Sequence, residues 1–343
     1  MPTAPKWLAS TQELQSRESF LELLRSYASD NTEFNTKLSD INNSNYPIVP
    51  GLLGAWSVDY ETKSAEWGNG WIPQGISLVE SKIYISAYDS FEKLTSLIYV
   101  LDSKTGEYEK SIVLPFVAHV GGMAYDSIHK KLWISTDEKK IARVSAIDLK
   151  TLEEYDATSI KSPIKVDESY IFQWLKTTSS LAYCASDNSI LIPKFSISES
   201  EMFRINLDNM GKIGDKKQLE DKTEVSHAKI PSQVQGFSYI EDDKIGIFNS
   251  SYGNKNLKMR FMKFNFKNEQ EFTIKEVKTQ KNSAYNFSMP PYLEQLTLEN
   301  RSRRVFLLFE SGGISYRDKT QDVMDRILSI TWDYEQLQND IKN

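Results

Sequence analysis

The chain has one cysteine in 343 residues, Cys184, so no disulfide framework can form within it. It has three histidines, at 119, 129 and 227, and their spacing is not that of a zinc site. No run of about 18 apolar residues is present, which excludes an ordinary membrane-spanning helix. The opening MPTAPKWLASTQ lacks the apolar stretch of a signal peptide. That leaves either a cytoplasmic protein or the mature form of an exported one. Basic charge is not in excess: the formal net charge is −6, which argues against non-specific nucleic-acid binding. GxSxG, HExxH, the P-loop and paired cysteine ligands are all missing, and the pieces GNG, GG and SGG read as turns.

What is present is a repeat. Residues 71–114, WIPQGISLVESKIYISAYDSFEKLTSLIYVLDSKTGEYEKSIVL, divide into four short strands. Gly75–Val79 is small and apolar. Lys82–Ala87 alternates, with Ile83 and Ile85 on one face and Tyr84 on the other. Ser96–Leu101 is rich in β-branched and aromatic residues. Asp102–Gly106 is a turn, because Asp bonds the following backbone and Gly accepts positive φ. Glu107–Leu114 returns. Four antiparallel strands joined by tight turns make one blade of a β-propeller.

The first two strands return four times, as VGGMAYDSIHKKLWIS, SSLAYCASDNSILIP, VQGFSYIEDDKIGIF and LEQLTLENRSRRVFLLF. With Gln74, Gly121, Ser180, Gln235 and Glu294 taken as equivalent, the spacings are 47, 59, 55 and 59 residues. A usual blade takes about 40–50 residues, so the turns carry insertions. The fold class is therefore all-β, a five-bladed propeller, with six blades as the alternative because 162–175 is strand-like and loosely placed. The last repeat has a third strand, RILSITW from Arg326, and no fourth. Gly54–Glu66 is expected to supply it, so that N- and C-terminal strands close the ring and remove its edges.

Residues 1–45 form a helical N-terminal extension and 46–343 the propeller. Phe20, Leu23, Leu24 and Tyr27 share one helix face, with Ser16 or Ser19 as cap, and a second helix is expected over 33–41. Asp148–Leu152 reads as a turn, and 312–325 as a long connection of the kind that is often functional.

A site in a propeller gathers where the inner strands start. The candidates there are Gln74, His119, Gln235 and Glu294, joined by Asp89, Asn249, Tyr252 and Glu310 near the far end of second strands, and by Arg317, expected to pair with Glu310. Each also has a structural reading: Gln74 and Gln235 both precede Gly, which suits an amide bonding the backbone of a neighbouring blade. Cys184 reads as a small buried apolar residue. Glu294 is a carboxylate where other repeats carry an amide, Gly or Ser, so it must be paired or solvated.

The phrases WIPQGISL, HVGGMAYD, VQGFSY and MPPYLEQLTL resemble inner strands of secreted bacterial propeller proteins of largely unassigned function, over about residues 71–332. That resemblance implies export. More distantly the pattern is similar to senescence-marker-protein/NHL-type propellers, some of them Ca²⁺-dependent lactonases or esterases. It implies Glu294, Gln74 and Gln235 as metal-side ligands, and Gln295 departs from it by standing where Gly is expected. The functional expectation is a non-enzymatic binding module, taking a small molecule, glycan or protein at the channel mouth. The alternative is a hydrolase of lactone, ester or glycan at the same mouth, with Glu294, Asp89 and Glu310 as acid–base groups, with or without Ca²⁺.

Overall fold

A computed structural model of the chain describes residues 7–29, 44–137, 141–160, 162–250, 258–268, 271–277, 289–299 and 304–331. The helix expected over 33–41 and Tyr252 lie outside these residues.

Five sheets repeat one antiparallel plan. Blade 1 holds β3 (Trp71–Val79), β4 (Lys82–Asp89), β5 (Leu97–Asp102) and β6 (Tyr108–Val113), preceded by a hairpin of β1 (Ala55–Val58) and β2 (Ala65–Gly68). Blade 2 holds β7 (Met123–Asp126), β8 (Lys131–Ser135), β9 (Ala142–Asp148) and β10 (Glu168–Phe172). Blade 3 holds β11 (Ala182–Cys184), β12 (Ser189–Lys194), β13 (Ser200–Asn206) and β14 (Ser226–Ile230). Blade 4 holds β15 (Val234–Ile240), β16 (Ile245–Ser250), β17 (Lys258–Asn268) and β18 (Glu271–Glu276). Blade 5 has three strands, β19 (Leu293–Glu299), β20 (Arg304–Phe309) and β21 (Leu328–Thr331). The loosely placed 162–175 segment is thus the outer strand of blade 2, and the count is five.

The alternation in β4 suggested one dry face. Both are dry: Ile83 and Ile85 are fully buried, and so is Tyr84. Neighbouring blades cover each side, so the core is a set of seams. One joins blades 5, 1 and 2, a second blades 2 and 3, a third blades 3 and 4. The fourth packs the N-terminal helix α1 (Arg17–Ser29) on blades 4 and 5 through Phe20, Leu21 and Leu24. Helicity begins at Arg17, and the Ser16 hydroxyl caps it by accepting from Ser19 N–H at 3.1 Å.

The turn at Asp102 forms as its residues demand. Asp102 Oδ1 accepts from Lys104 and Thr105 N–H at 2.9 and 2.8 Å, and Gly106 takes φ +74°. Those amides hold its carboxyl below the usual range. The expected turn at Asp148 is instead a short helix, Leu149–Glu154.

The ring does close through its chain ends, but Gly54–Glu66 is not the segment that reaches blade 5. It lies in the β1–β2 hairpin, which is tied to blade 1: Asp59 bridges Leu94, and Thr95 N–H donates to Val58 C=O at 2.8 Å. Pro47–Val49 sits beside β21 instead, with Val49 N–H on Asp325 C=O and Ile327 N–H on Pro47 C=O, both at 2.9 Å. A buckle reinforces this. Asp325 Oδ2 accepts from Leu14 and Gln15 N–H at 2.7 and 3.2 Å, and Arg326 pairs with Asp325 at 2.8 Å and with Glu13.

Candidate functional site at the closing seam

Three inner strands are irregular at one level. The register slips between Pro73 and Ile76 in β3, between Val234 and Gly236 in β15, and between Leu293 and Gln295 in β19. The residues at the slips are Gln74, Gln235 and Glu294, the positions aligned in the sequence. A bulge re-aims the side chain it carries. The chain enters two of these strands through left-handed residues, Gln233 at φ +60° and Tyr292 at +66°, and blade 2 through Val120 at +48°. Positive φ is costly for a β-branched residue. The Val120 carbonyl is held by the Ser86 hydroxyl at 2.6 Å.

Close approach of backbones explains the glycines after the glutamines. A Cβ on Gly236 would stand 2.5 Å from Glu294 C=O and 2.2 Å from Asn249 Oδ1. The expected bond from Gln74 or Gln235 to a neighbouring backbone is made by another amide, Gln295. It is 1% exposed, accepts from Ile76 N–H of blade 1 at 2.7 Å, and donates to Met123 C=O of blade 2 at 3.3 Å. The departure from the glycine pattern is therefore a spoke across the axis.

Above that spoke, blades 5 and 1 bring a polar cluster together. Glu294 and Glu310 hydrogen-bond to each other. Gln74 Nε2 donates to Glu310 Oε2 at 3.2 Å and to its own Pro73 C=O at 3.1 Å. Tyr316, on the helical turn Ile314–Arg317, lies beside Glu310 and Tyr88. Tyr88 stacks on His119 with centroids 3.9 Å apart and planes 20° apart. Glu310, Gln74 and Tyr88 are buried. Glu294 is partly accessible, and His119 stands exposed at the rim.

Burial raises Glu294 well above the carboxylate range, and the negative charge of Glu310 adds to it. Burial also pushes Glu310 up to about 7, against hydrogen bonds from Glu294, Gln74 and Tyr316 that favour its ionised form. Like charges this close resist double ionisation, so both shifts favour a proton kept on the pair. Burial and the Glu310 charge push Tyr88 up to about 12. Although His119 is exposed as a residue, its ring packs on Tyr88, and that desolvation lowers its pKa, opposed by Glu92.

Other sequence candidates lie elsewhere. Asp89 is 2% exposed and gives its carboxylate to its own loop, accepting from Phe91, Lys93 and Leu94 N–H at 3.3, 3.1 and 3.0 Å. Arg317 does not pair with Glu310; its Nη2 donates to Leu52 and Gly312 C=O at 2.7 and 2.9 Å. Gln235 is partly accessible at its bulge and makes no bond to the carboxyl pair among the described residues. Tyr88 and Tyr316 are not among the sequence candidates, and Gln295 stands there only as a departure from the glycine pattern. In β4 the period-two rule makes Tyr88 and Asp89 alternatives, and it is Tyr88 that faces the cluster. Tyr316 lies in the connection already marked for its length.

No three His, Cys, Asp or Glu side chains converge as a metal set among the described residues, and none of their helices is long and apolar enough to cross a membrane. The oxygen atoms on offer at the mouth are the two carboxyls and the Gln74 amide.

The sheet order makes the chain a five-bladed β-propeller built from repeats. No family model and no curated protein matches its sequence. Among solved structures it is similar to hydrazine synthase of Kuenenia stuttgartiensis, at 10% identity over 81% of this chain and 80% of that one, with a TM-score of 0.41. It is also similar to a functionally unknown protein of Desulfotomaculum acetoxidans DSM 771, at 10% identity over 78% and 73%, TM-score 0.43. TolB of Acinetobacter baumannii matches at 13% identity over 84% and 63%, TM-score 0.36.

Proposed function

We propose that the chain is a binding module whose ligand is a small, hydroxyl-rich molecule or glycan end, held at the mouth where blades 5 and 1 meet. The observation that carries this reading is the buried Glu294–Glu310 carboxyl pair, with Gln74 donating to Glu310 and the Tyr88–His119 stack beside it. A carboxyl pair sharing one proton both donates and accepts, as do the tyrosine hydroxyls. The stacked rings offer a flat apolar face beside them. The test is thermal unfolding across a panel of neutral mono- and oligosaccharides, since a ligand of the folded state raises Tm. A shift at millimolar sugar that Tyr88→Ala and Glu294→Gln both abolish supports the reading. Absence of any shift across the panel sinks it.

The same pair favours a second reading, a hydrolase of esters or lactones in which one carboxyl is the acid and the other the base. A two-carboxylate glycosidase is a poorer match, because it needs separations of about 5–10 Å and these carboxyls touch. Ca²⁺ bound by Glu294, Glu310 and the Gln74 amide oxygen belongs to this second reading. Excess Ca²⁺ should then raise Tm, EDTA should reverse the rise, and Glu294→Gln should remove it. A Ca²⁺-independent Tm with no turnover of aryl esters or lactones removes this reading. Export, implied by the family resemblance, is part of the same proposal.

A further inference from the structure

The opposite end of the axis is also built. Below the Gln295 spoke the second halves of all five inner strands line an open pocket of about 240 Å³. Tyr125, Tyr183 and Tyr239 come to it from three successive blades, with the hydroxyls of Ser238 and Thr297 and the carboxylate of Glu241. No Lys or Arg lines it among the described residues. Glu241 accepts one amide on each oxygen, Ala185 N–H on Oε2 and Ser186 N–H on Oε1, both at 2.8 Å. Each carboxylate oxygen has further lone-pair capacity, and no ion pair to Glu241 is formed among the described residues. The cation near this wall is already engaged: Lys130, 5.8 Å from the Tyr125 ring, pairs with Glu80 at 2.7 Å, and the Tyr125 hydroxyl donates to the same carboxylate at 2.6 Å. Tyr239 is 8% exposed, and its hydroxyl lies beside the Cys184 thiol.

We propose that this distal cavity is a binding site for a small organic ammonium, with its charged head on Glu241 and its apolar body among the three tyrosine rings. Ring faces and a carboxylate attract the same sign of charge. The hydroxyls supply acceptors for the remaining ammonium hydrogens, and the volume admits a body about the size of one aromatic ring. Anions are disfavoured, because Glu241 repels them and no cation of the wall answers them.

Calorimetric titration of the full chain with 2-phenylethylammonium, 2-phenylethanol and phenylacetate is the test. The ammonium should bind at least tenfold more tightly than the alcohol, and phenylacetate should not bind. Glu241→Gln should weaken the ammonium at least tenfold while leaving the alcohol unchanged. Because Glu241 also braces the 185–186 turn, Ser238→Leu is the companion variant: it fills the cavity without touching those amides and should abolish binding. Equal affinity for the alcohol, ammonium binding that survives Ser238→Leu, or no binding at millimolar ammonium overturns the proposal.

Discussion

Blade 1 and blade 5 are the same unit assembled in two ways. Blade 1 takes its four strands from one unbroken stretch, and its turns are set by local residues such as Asp102 and Gly106. Blade 5 has three strands of its own. Its outer side is completed by Pro47–Val49 and by a helix from the other end of the chain. The two blades face each other across the seam that holds the candidate site, with both glutamates on blade 5 and Gln74 and Tyr88 on blade 1. A self-sufficient blade therefore positions the neutral partners, and a blade dependent on distant segments positions the acidic pair.

The largest test of that contrast is to open the buckle. Phe20 is fully buried between α1 and blade 5, and Arg326 lies over its ring at 5.1 Å. Phe20→Ala should cost about 3–5 kcal/mol, and Arg326→Ala, which leaves the buried Asp325 carboxylate without its partner, a similar ~3–5 kcal/mol. Both are read by denaturant unfolding. If the buckle costs less than about 1 kcal/mol to remove, blade 5 stands as independently as blade 1 and the contrast is wrong.

A middle-sized effect comes from the spoke. Gln295→Gly restores the residue expected from the repeat, yet it orphans the Ile76 N–H and should cost about 1–3 kcal/mol. Gln74→Ala, which orphans no backbone N–H, should cost less. A stabilising Gln295→Gly would show that the axis has no need of the amide.

A smaller effect is a pH slope. A carboxyl held above its unfolded pKa binds more protons in the folded state than in the unfolded one. Its stabilising contribution is complete below about pH 4, the ordinary carboxylate range, and is lost as pH rises through about 7. The slope is at most about 1.4 kcal/mol per pH unit for each proton. His119 works the other way near its own titration, because its folded pKa is lowered. The informative quantity is therefore the difference between the native chain and Glu310→Gln across pH 5–8. That difference should shift steadily toward the variant as pH rises, and a flat difference would mean that the pair is not protonated.

How much of this was legible follows from how locally each feature is encoded. Strand alternation and turn chemistry wrote blade 1 into contiguous residues, and the apolar spacing of Phe20, Leu24 and Tyr27 wrote α1. The bulge positions were legible too, because Gln74, Gln235 and Glu294 recur at one place in the repeat. The partners across the seam were not. Glu310 meets Gln74 over 236 residues of chain, and no local pattern tells which face of β4 looks into the mouth. Asp89 and Arg317 were credible for their charge, but nearby backbone amides and carbonyls claimed them. The segment closing blade 5 was misplaced by only a few residues, because both Pro47–Val49 and the β1–β2 hairpin precede blade 1.

The Gln295 side chain also sets an order of events during synthesis. Its two backbone partners, Ile76 and Met123, precede it by 219 and 172 residues. At about 5–20 residues per second a ribosome makes Ile76 about 11–44 s, and Met123 about 9–34 s, before this amide exists. Until then the nascent blades form an open arc, and the Ile76 and Met123 groups face a gap that nothing yet spans. The ring becomes a ring only when its last-made blade arrives, and the first strand of that blade supplies the tie that fastens it to blades 1 and 2.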